Sequence, residues 1–362
     1  ERSRGLGDVY KRQALDGDHR LEEAQNTANQ TITNLTNLNN AQKTAEKQLV
    51  NQSPTLEQVQ QNLQTAQDLD RAMGALRQSI ANQDQVKSES KYLNEDPTVK
   101  ANYDQAVQRA EDIINATQNP ELNKGTIEQA TQAVQNAEQA LHGVEKLNQD
   151  KTTASKELNN LTNLTDAQRE KLKELINHSD SRDDIKQELE QAKQLNNAME
   201  QLKNQVALKD SVHSSSNYFN EDSAQKQAYD DAIKHAEDII KNTNNPNINP
   251  QDIIKALNNI KTATDNLHGE QRLQNEKDTS NNSIDHMTHL NQPQKDALKQ
   301  AIDGATTREQ VAEKLKEAKA LDNAMKQLED QVNQDPAITS SSKFENEDTE
   351  QQKAYNLSLI HI

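Results

Sequence analysis

His286 and His289 come nearest to metal chemistry: two imidazoles three residues apart would lie on one side of a helical turn and could face one ion. The chain repeats itself with a step of 126 residues, however, and the same places hold Asn160 and Asn163 one step back, then Asn34 and Asn37. A metal site also needs further ligands converging on it, so a solvated helix face is the better reading. Glu111 and Asp112 are adjacent carboxylates of the kind used in acid–base work. Neighbours in a helix point about 100° apart and cannot share a proton or a substrate, which leaves surface charge as their role. His142 and His268 each precede a glycine inside what the periodicity reads as one long helix, where a kink or packing role outranks catalysis.

Met73, Met199 and Met325 fall on apolar seams and read as core fillers, and Tyr103 and Tyr229 as core anchors. The chain offers no phosphate-cradling glycine loop, no nucleophile with a base at a recognisable spacing and no basic patch interleaved with aromatics. No catalytic, cofactor-binding or metal residue is assigned, no binding residue is identified, and the chain reads as a non-enzyme. Asp and Glu outnumber Lys and Arg by 58 to 41, so nucleic acid and anionic membranes would be repelled over most of the surface. No apolar run approaches the ~18 residues of a membrane span, so insertion of this segment into a bilayer is not expected. The chain has no cysteine, which removes disulfides and thiol chemistry and leaves the redox compartment open.

The elements that would position these residues must be built from little apolar material. Only 31% of the 362 residues are hydrophobic and 2% aromatic, and the mean hydropathy is -1.11. Leu, Ile, Val and Phe fall just under the ~20% at which composition alone suggests disorder. Such an allotment folds a chain only if it is concentrated on narrow helical seams. The repeat supplies those seams. Gly17, Gly143 and Gly269 follow Leu15-Asp16, Leu141-His142 and Leu267-His268, and Ala110-Glu111-Asp112-Ile113-Ile114 returns as Ala236-Glu237-Asp238-Ile239-Ile240, with no insertion anywhere.

Each unit reads as four helices. The first is predicted from Thr126 to Leu161 with Ile127, Ala130, Val134, Ala137, Leu141 and Val144, then Leu147, Ala154, Leu158 and Leu161, on its apolar stripe. The second starts with a Thr165/Gln168 capping box, carries Leu172, Leu175 and Ile176, and ends near His178. The third begins near Asp183 and bears Ile185, Leu189, Ala192, Leu195, Met199, Leu202 and Val206. The polar Ser214-Ser215-Ser216-Asn217 breaks the chain, and the fourth starts after Asp222, or after Asp96 with Pro97 at its first position. Asn244-Asn245-Pro246 ends that helix, and Pro250 opens the next long one.

Two successive three-residue steps, at Leu141-Val144-Leu147 and around Ala66-Leu69, Ala192-Leu195 and Ala318-Leu321, swing the stripe around the helix. A helix with two differently aimed faces can serve two successive cores. The expected fold is therefore all-α: tandem three-helix bundles that share long helices. An odd number of helices makes the chain leave opposite its entry, so the bundles would extend into an elongated, monomeric rod of roughly 30 Å per bundle and about 60 Å per repeat.

The two ends read differently. Leu357-Ser358-Leu359-Ile360-His361-Ile362 can be encoded by CTGTCTCTTATACACATC, whose reverse complement encodes Asp8-Val9-Tyr10-Lys11-Arg12-Gln13. That DNA looks like a transposase sequencing adapter, so residues 1–13 and 357–362 are set aside from fold reasoning, and the protein is expected to continue past both ends.

Tyr103-Asp104-Gln105-Ala106, Ala110-Glu111-Asp112, Asn119-Pro120 and Ala140-Leu141-His142-Gly143 together resemble a FIVAR module, and Tyr229 to Gly269 matches it. Leu161-Thr162-Asn163-Leu164-Thr165-Asp166-Ala167-Gln168 through Ile185 resembles a GA-type module, of the class that includes albumin-binding three-helix domains. Their alternation at this period, over residues 14 to 356, resembles the giant staphylococcal extracellular matrix-binding proteins of the Ebh or Embp type. The implied domains are GA-like at 14–66 (partial), 143–192 and 269–318, and FIVAR-like at 67–142, 193–268 and 319–356 (truncated). The resemblance implies a secreted, cell-surface or cell-wall protein that attaches to fibronectin or other host matrix, with a role in envelope integrity. Albumin binding is disfavoured, since the last GA helix is committed to a neighbouring bundle and surface residues vary among copies. A purely structural envelope spacer without a host ligand is the alternative, and an intracellular spectrin-like scaffold fits the helices but not the modules. A continuous first helix predicts that proline at Val144 or Leu147 bends the rod, which scattering dimensions would register.

Overall fold

The computed structural model describes residues 16–360, so the adapter-like residues 1–13 lie outside the described part. Among the described residues every regular element is a helix. The chain divides into two compact units, the first comprising residues up to Leu158 together with Lys173–Leu189, the second Asn159–Leu172 together with Glu190 onward.

The first unit opens with α1 (Gly17–Asn34), α2 (Asn40–Asn51) and α3 (Leu56–Ile80). Asn39 starts α2 with a capping box, its side chain accepting the Gln42 N–H while Gln42 reaches back to the Asn39 N–H. Thr55 caps α3 in the simpler way. These three helices close around Ala28, Ile32, Val50, Val59 and Ala66. Beyond Ala66, α3 keeps its hydrogen bonds but changes face. Leu69, Met73 and Leu76 enter a second core with Tyr103, Val107 and Ala110 of α6 (Pro97–Asn115) and Ile127, Ala130 and Val134 of α7 (Lys124–Gln139). The cause is arithmetical: a three-residue step turns the stripe back by about 60° and a four-residue step turns it forward by about 40°, so two threes in a row swing it to a new side. One helix thus serves two cores, as expected from the spacing.

Between α3 and α6 lie two short helices that the polar composition conceals, α4 (Gln83–Ser88) and α5 (Ser90–Leu93). The helix predicted from Thr126 to Leu161 is not continuous, and this corrects the reading of a kink at His142. It is α7 followed by α8 (Gly143–Asn160), with Ala140, Leu141 and His142 lying between the two helices. Leu141 stays buried at the break, whereas Val144 is 43% exposed and does not continue the stripe. The interruption lets α5 press its end against the start of α8. A Cβ on Gly143 would lie 2.5 Å from the Ser90 carbonyl oxygen, 2.6 Å from that of Lys91 and 2.8 Å from the Glu95 nitrogen, so only glycine fits.

Next come α9 (Asp166–His178) and α10 (Arg182–Ala207). The expected Thr165/Gln168 capping box is present, at 2.9 and 3.1 Å. Leu172 and Ile176 of α9 are buried, and Leu175 is exposed. Helix α10 runs unbroken through Ala192 and buries Ile185, Ala192, Leu195, Met199 and Leu202 along its length.

The second unit repeats the pattern with α11 (Lys209–His213), α12 (Ser216–Phe219), α13 (Ser223–Lys241), α14 (Pro250–Asp265) and α15 (Gly269–Asp285). Of Ser214–Asn217, expected as a plain break, only Ser214 and Ser215 join α11 to α12, and Ser215 caps α12, which Ser216 and Asn217 open. Tyr229, Ile233 and Ala236 of α13, and Ile253, Ala256 and Ile260 of α14, are all buried. A break again separates α14 from α15, and a Cβ on Gly269 would meet the Ser216 and Asn217 carbonyl oxygens at 2.5 and 2.6 Å. Then α15, α16 (Gln292–Asp303) and α17 (Arg308–Asn333) surround Leu273, Ile284, Leu290, Ile302, Val311 and Ala318. The described chain ends with α18 (Asp335–Thr339), α19 (Ser342–Glu345) and α20 (Thr349–Ile360), which contains adapter-like Leu357–Ile360 and buries no residue.

Two outcomes follow for hydrogen exchange in the intact chain. Val144→Pro, falling in the first turn of α8 where a proline is tolerated, leaves protection in α3 and α8 nearly unchanged. Ala66→Pro, inside the shared α3, lowers stability by about 3 kcal/mol or more in both adjoining cores. Equal damage from the two would contradict the break. Similarly, Gly143→Ala costs about 1–3 kcal/mol by overpacking, while Gly304→Ala, whose new Cβ meets nothing nearer than 3.5 Å, is neutral or stabilising.

Candidate functional site

The residues singled out for chemistry do not assemble. His286 is the C-cap of α15, with its ring Nδ1 2.8 Å from the Asn282 carbonyl, and His289 lies in the following loop, its Nδ1 2.7 Å from Glu329. They are not on one helix, which corrects the expected shared face. The main-chain N–H of His289 donates to Asp322 at 3.0 Å. The equivalent bonds run from Asn163 to Asn196 at 2.9 Å and from Asn37 to Asp70 at 2.8 Å, so the position is a loop anchor in every copy. Glu111 accepts from Gln83 and Asp112 from Gln108, on different sides of α6. His142 and His268 stand at the helix breaks. Met73 and Met199 are fully buried, while Met325 is partly buried against its core. Tyr103 is fully buried with no partner for its hydroxyl, and burial pushes that hydroxyl up to about 12. Among the described residues no group of three His, Asp or Glu could hold a metal ion, and no helix is long and apolar enough to cross a membrane.

The concentrated chemistry is instead a polar clasp where α5 meets α8, and it went unnoticed in the sequence. Asn94, Glu95 and Asp96 form the turn into α6, and this turn is held by one base from α8 and one from α10. Glu95 has a side chain with 0% exposure; it accepts the Asp96 N–H at 2.7 Å, the His142 N–H at the start of α8, and the Lys146 ammonium. Burial alone would raise its pKa, but Lys146 and the two backbone donors outweigh that and hold it below the usual carboxylate range. Asp96 takes Lys146 on one oxygen and Arg182 on the other, at 2.9 Å, and these two cations hold it low as well. Arg182 also donates its Nε to Asp150 at 2.7 Å, while its backbone N–H bonds the Asn94 side chain at 3.0 Å. Asn94 closes the circuit on the Asp180 carbonyl at 2.8 Å.

The second unit builds the same clasp with conservative exchanges. Glu221 and Asp222 meet Arg272 in place of Lys146, and Arg308 spans Asp222 at 2.8 Å and Glu276 at 2.6 Å. Asn220 again receives the Arg308 N–H, at 3.0 Å. A signal was available in advance: Asn94-Glu95-Asp96 recurs as Asn220-Glu221-Asp222 and Asn346-Glu347-Asp348. Each clasp charge has an opposite neighbour, so the arrangement suits orientation of segments and not proton transfer or nucleophilic attack. Beside the first clasp an open groove is lined by Leu93, Pro97, Asp150, Arg182, Ile185 and Leu189.

Comparison with known proteins finds two module families alternating along the chain. The GA module family matches residues 18–72, 144–198 and 270–324, and the FIVAR domain family matches 72–142, 198–268 and 324–359. Extracellular matrix-binding protein EbhA of Staphylococcus aureus strain Newman is 42% identical over 346 residues, 96% of this chain and 10% of that protein. Extracellular matrix-binding protein ebh of S. aureus strain USA300 / TCH1516 is equally similar, and there the match spans 3% of its length. The chain therefore spans a small part of these relatives. Among solved structures, the crystal structure of the EbhA 756-1003 domain from S. aureus matches with a TM-score of 0.62 and 30% identity, over 68% of this chain and 98% of that one. Sequence, modules and fold agree: the chain belongs to the staphylococcal family of extracellular matrix-binding proteins built from alternating GA modules and FIVAR domains.

Proposed function

We propose that this segment is a non-enzymatic adhesive rod of a cell-surface or cell-wall protein, presenting many weak, repeated surfaces to host extracellular matrix such as fibronectin. The observation that carries this reading is the same pair of modules recurring without insertion, joined alternately by a shared helix and by a charged clasp. Repetition at fixed spacing turns individually weak contacts into avidity, provided the spacing is held. That the relatives are named extracellular matrix-binding proteins supports matrix as the partner class. Albumin is disfavoured, because the helix that would complete an independent GA module also belongs to the next core. One observation favours a pure envelope spacer instead: the charges of the clasps are spent on each other.

Binding of the full chain to immobilised fibronectin, with albumin as comparator and salt varied, separates the two. Saturable, micromolar, salt-sensitive binding to fibronectin alone is expected, and no saturation at high micromolar concentration would leave only the spacer.

A second test concerns the clasp. Carboxyls held below their ordinary pKa contribute stability that is present above about pH 4 and is lost as pH falls through the lowered values. The chain has no cysteine, so Gln108→Cys and Glu174→Cys can carry a spin-label pair across the first clasp. The distance distribution is expected to be narrow at pH 7 and at pH 5 and to broaden only in stronger acid, and Arg182→Ala should broaden it already at pH 7. A width indifferent to both changes would remove the clasp from the mechanism.

A further inference from the structure

The first unit buries a carboxyl that has no partner. Glu46, on α2, is 1% exposed, and neither of its carboxylate oxygens has a hydrogen-bond partner. One and two periods later the same position is Leu172, fully buried, and Leu298, partly buried against its core. A carboxyl therefore stands where the fold is designed for an aliphatic side chain, in the helix trio whose core is Ala28, Ile32, Val50, Val59 and Ala66.

The charged groups on the helices around it do not rescue it. On α2 itself, Lys43 donates to the Thr33 carbonyl at 3.0 Å, and Lys47 lies one residue further round the helix. Arg20, Glu22 and Glu23 of α1 and Glu57 of α3 are exposed. Asp68 of α3 pairs with Arg71. No ion pair to Glu46 forms among the described residues. An ionised carboxylate without a partner is strongly disfavoured in such surroundings, whereas the neutral acid costs much less.

We infer that Glu46 is a protonation-controlled latch on the first GA module: the module closes tightly with the carboxyl neutral and loosens when it ionises, so mild acid tightens this module and not the other two. Burial raises the Glu46 pKa above its ordinary 4.5, which agrees in direction. For a raised acid, the stability is fully present below the unfolded value and is lost as pH rises through the folded one. The response is thus opposite in sign to that of the clasps, and it lies above the ordinary carboxylate range, whereas the clasps are lost below it.

Hydrogen exchange of the intact chain between pH 7.5 and 5.0, corrected for the intrinsic pH dependence of exchange, reads this directly. The opening constant of α2 is expected to fall on acidification, by up to tenfold per pH unit across the titration. Those of α9 and α16 should stay level. Glu46→Gln should abolish the pH response of α2, and Glu46→Leu should abolish it and lower the α2 opening constant at pH 7.5 toward that of α9. A level α2 profile in the unmodified chain, or a response that survives in Glu46→Gln, would overturn the latch. Fibronectin binding plays no part in these readouts, so the latch and the adhesive reading stand or fall separately.

Discussion

Scarcity of apolar side chains is the constraint from which the architecture follows. A trio of short helices closing on Ala28, Ile32, Val50, Val59 and Ala66 buries too little surface to stand comfortably alone, since each fully buried aliphatic contributes only about 1.5–3 kcal/mol against the entropy of ordering dozens of residues. The chain responds by using helix α3 twice. Val59 and Ala66 serve one core and Leu69, Met73 and Leu76 the next, so the cost of forming one helix is shared by two sets of contacts, and neither set can be lost without weakening the other.

The other joint is built on the opposite principle. Where α7 gives way to α8, no helix carries the load; instead a glycine admits the α5 carbonyls to within contact of a helix start, and a buried glutamate caps that start while binding a lysine or arginine one turn on. A helix N-terminus and a carboxylate attract each other, and the surrounding bases prevent the buried charge from being orphaned. The two kinds of joint alternate along the chain, one covalent and apolar, one polar and assembled from separate segments.

Much of this was legible beforehand. The 3-and-4 spacing gave the helices, the phase slip at Ala66 to Leu69 gave the shared strut, and Asn-Pro and Thr-x-x-Gln gave starts and stops. The reading failed at Gly143, because Leu141, Val144 and Leu147 show the same double three-step as the genuine strut. The sequence pattern does not distinguish a stripe that turns from a helix that ends, since the deciding contact is with Ser90 and Lys91, some fifty residues away. The clasp was missed for a related reason: charged residues on a polar chain look like solvated surface until the fold brings Asn94, Lys146 and Arg182 together. The separation of His286 from His289 is hidden for another reason, since the loop after α15 carries no glycine or proline before Asn291-Gln292-Pro293.

The unbroken passage of α3 between two cores makes the chain a counter of its own residues. Every residue in an α-helix carries about 1.5 Å of advance and about 100° of rotation, so adding or deleting one between Val59 and Met73 would dial the downstream core a quarter-turn or more out of register with the upstream one. A one-residue change there is opposed mechanically, whereas gain or loss of a whole 126-residue block keeps the register. A chain built this way can change its number of modules in fixed increments while the shared-helix and clasp fittings stay interchangeable.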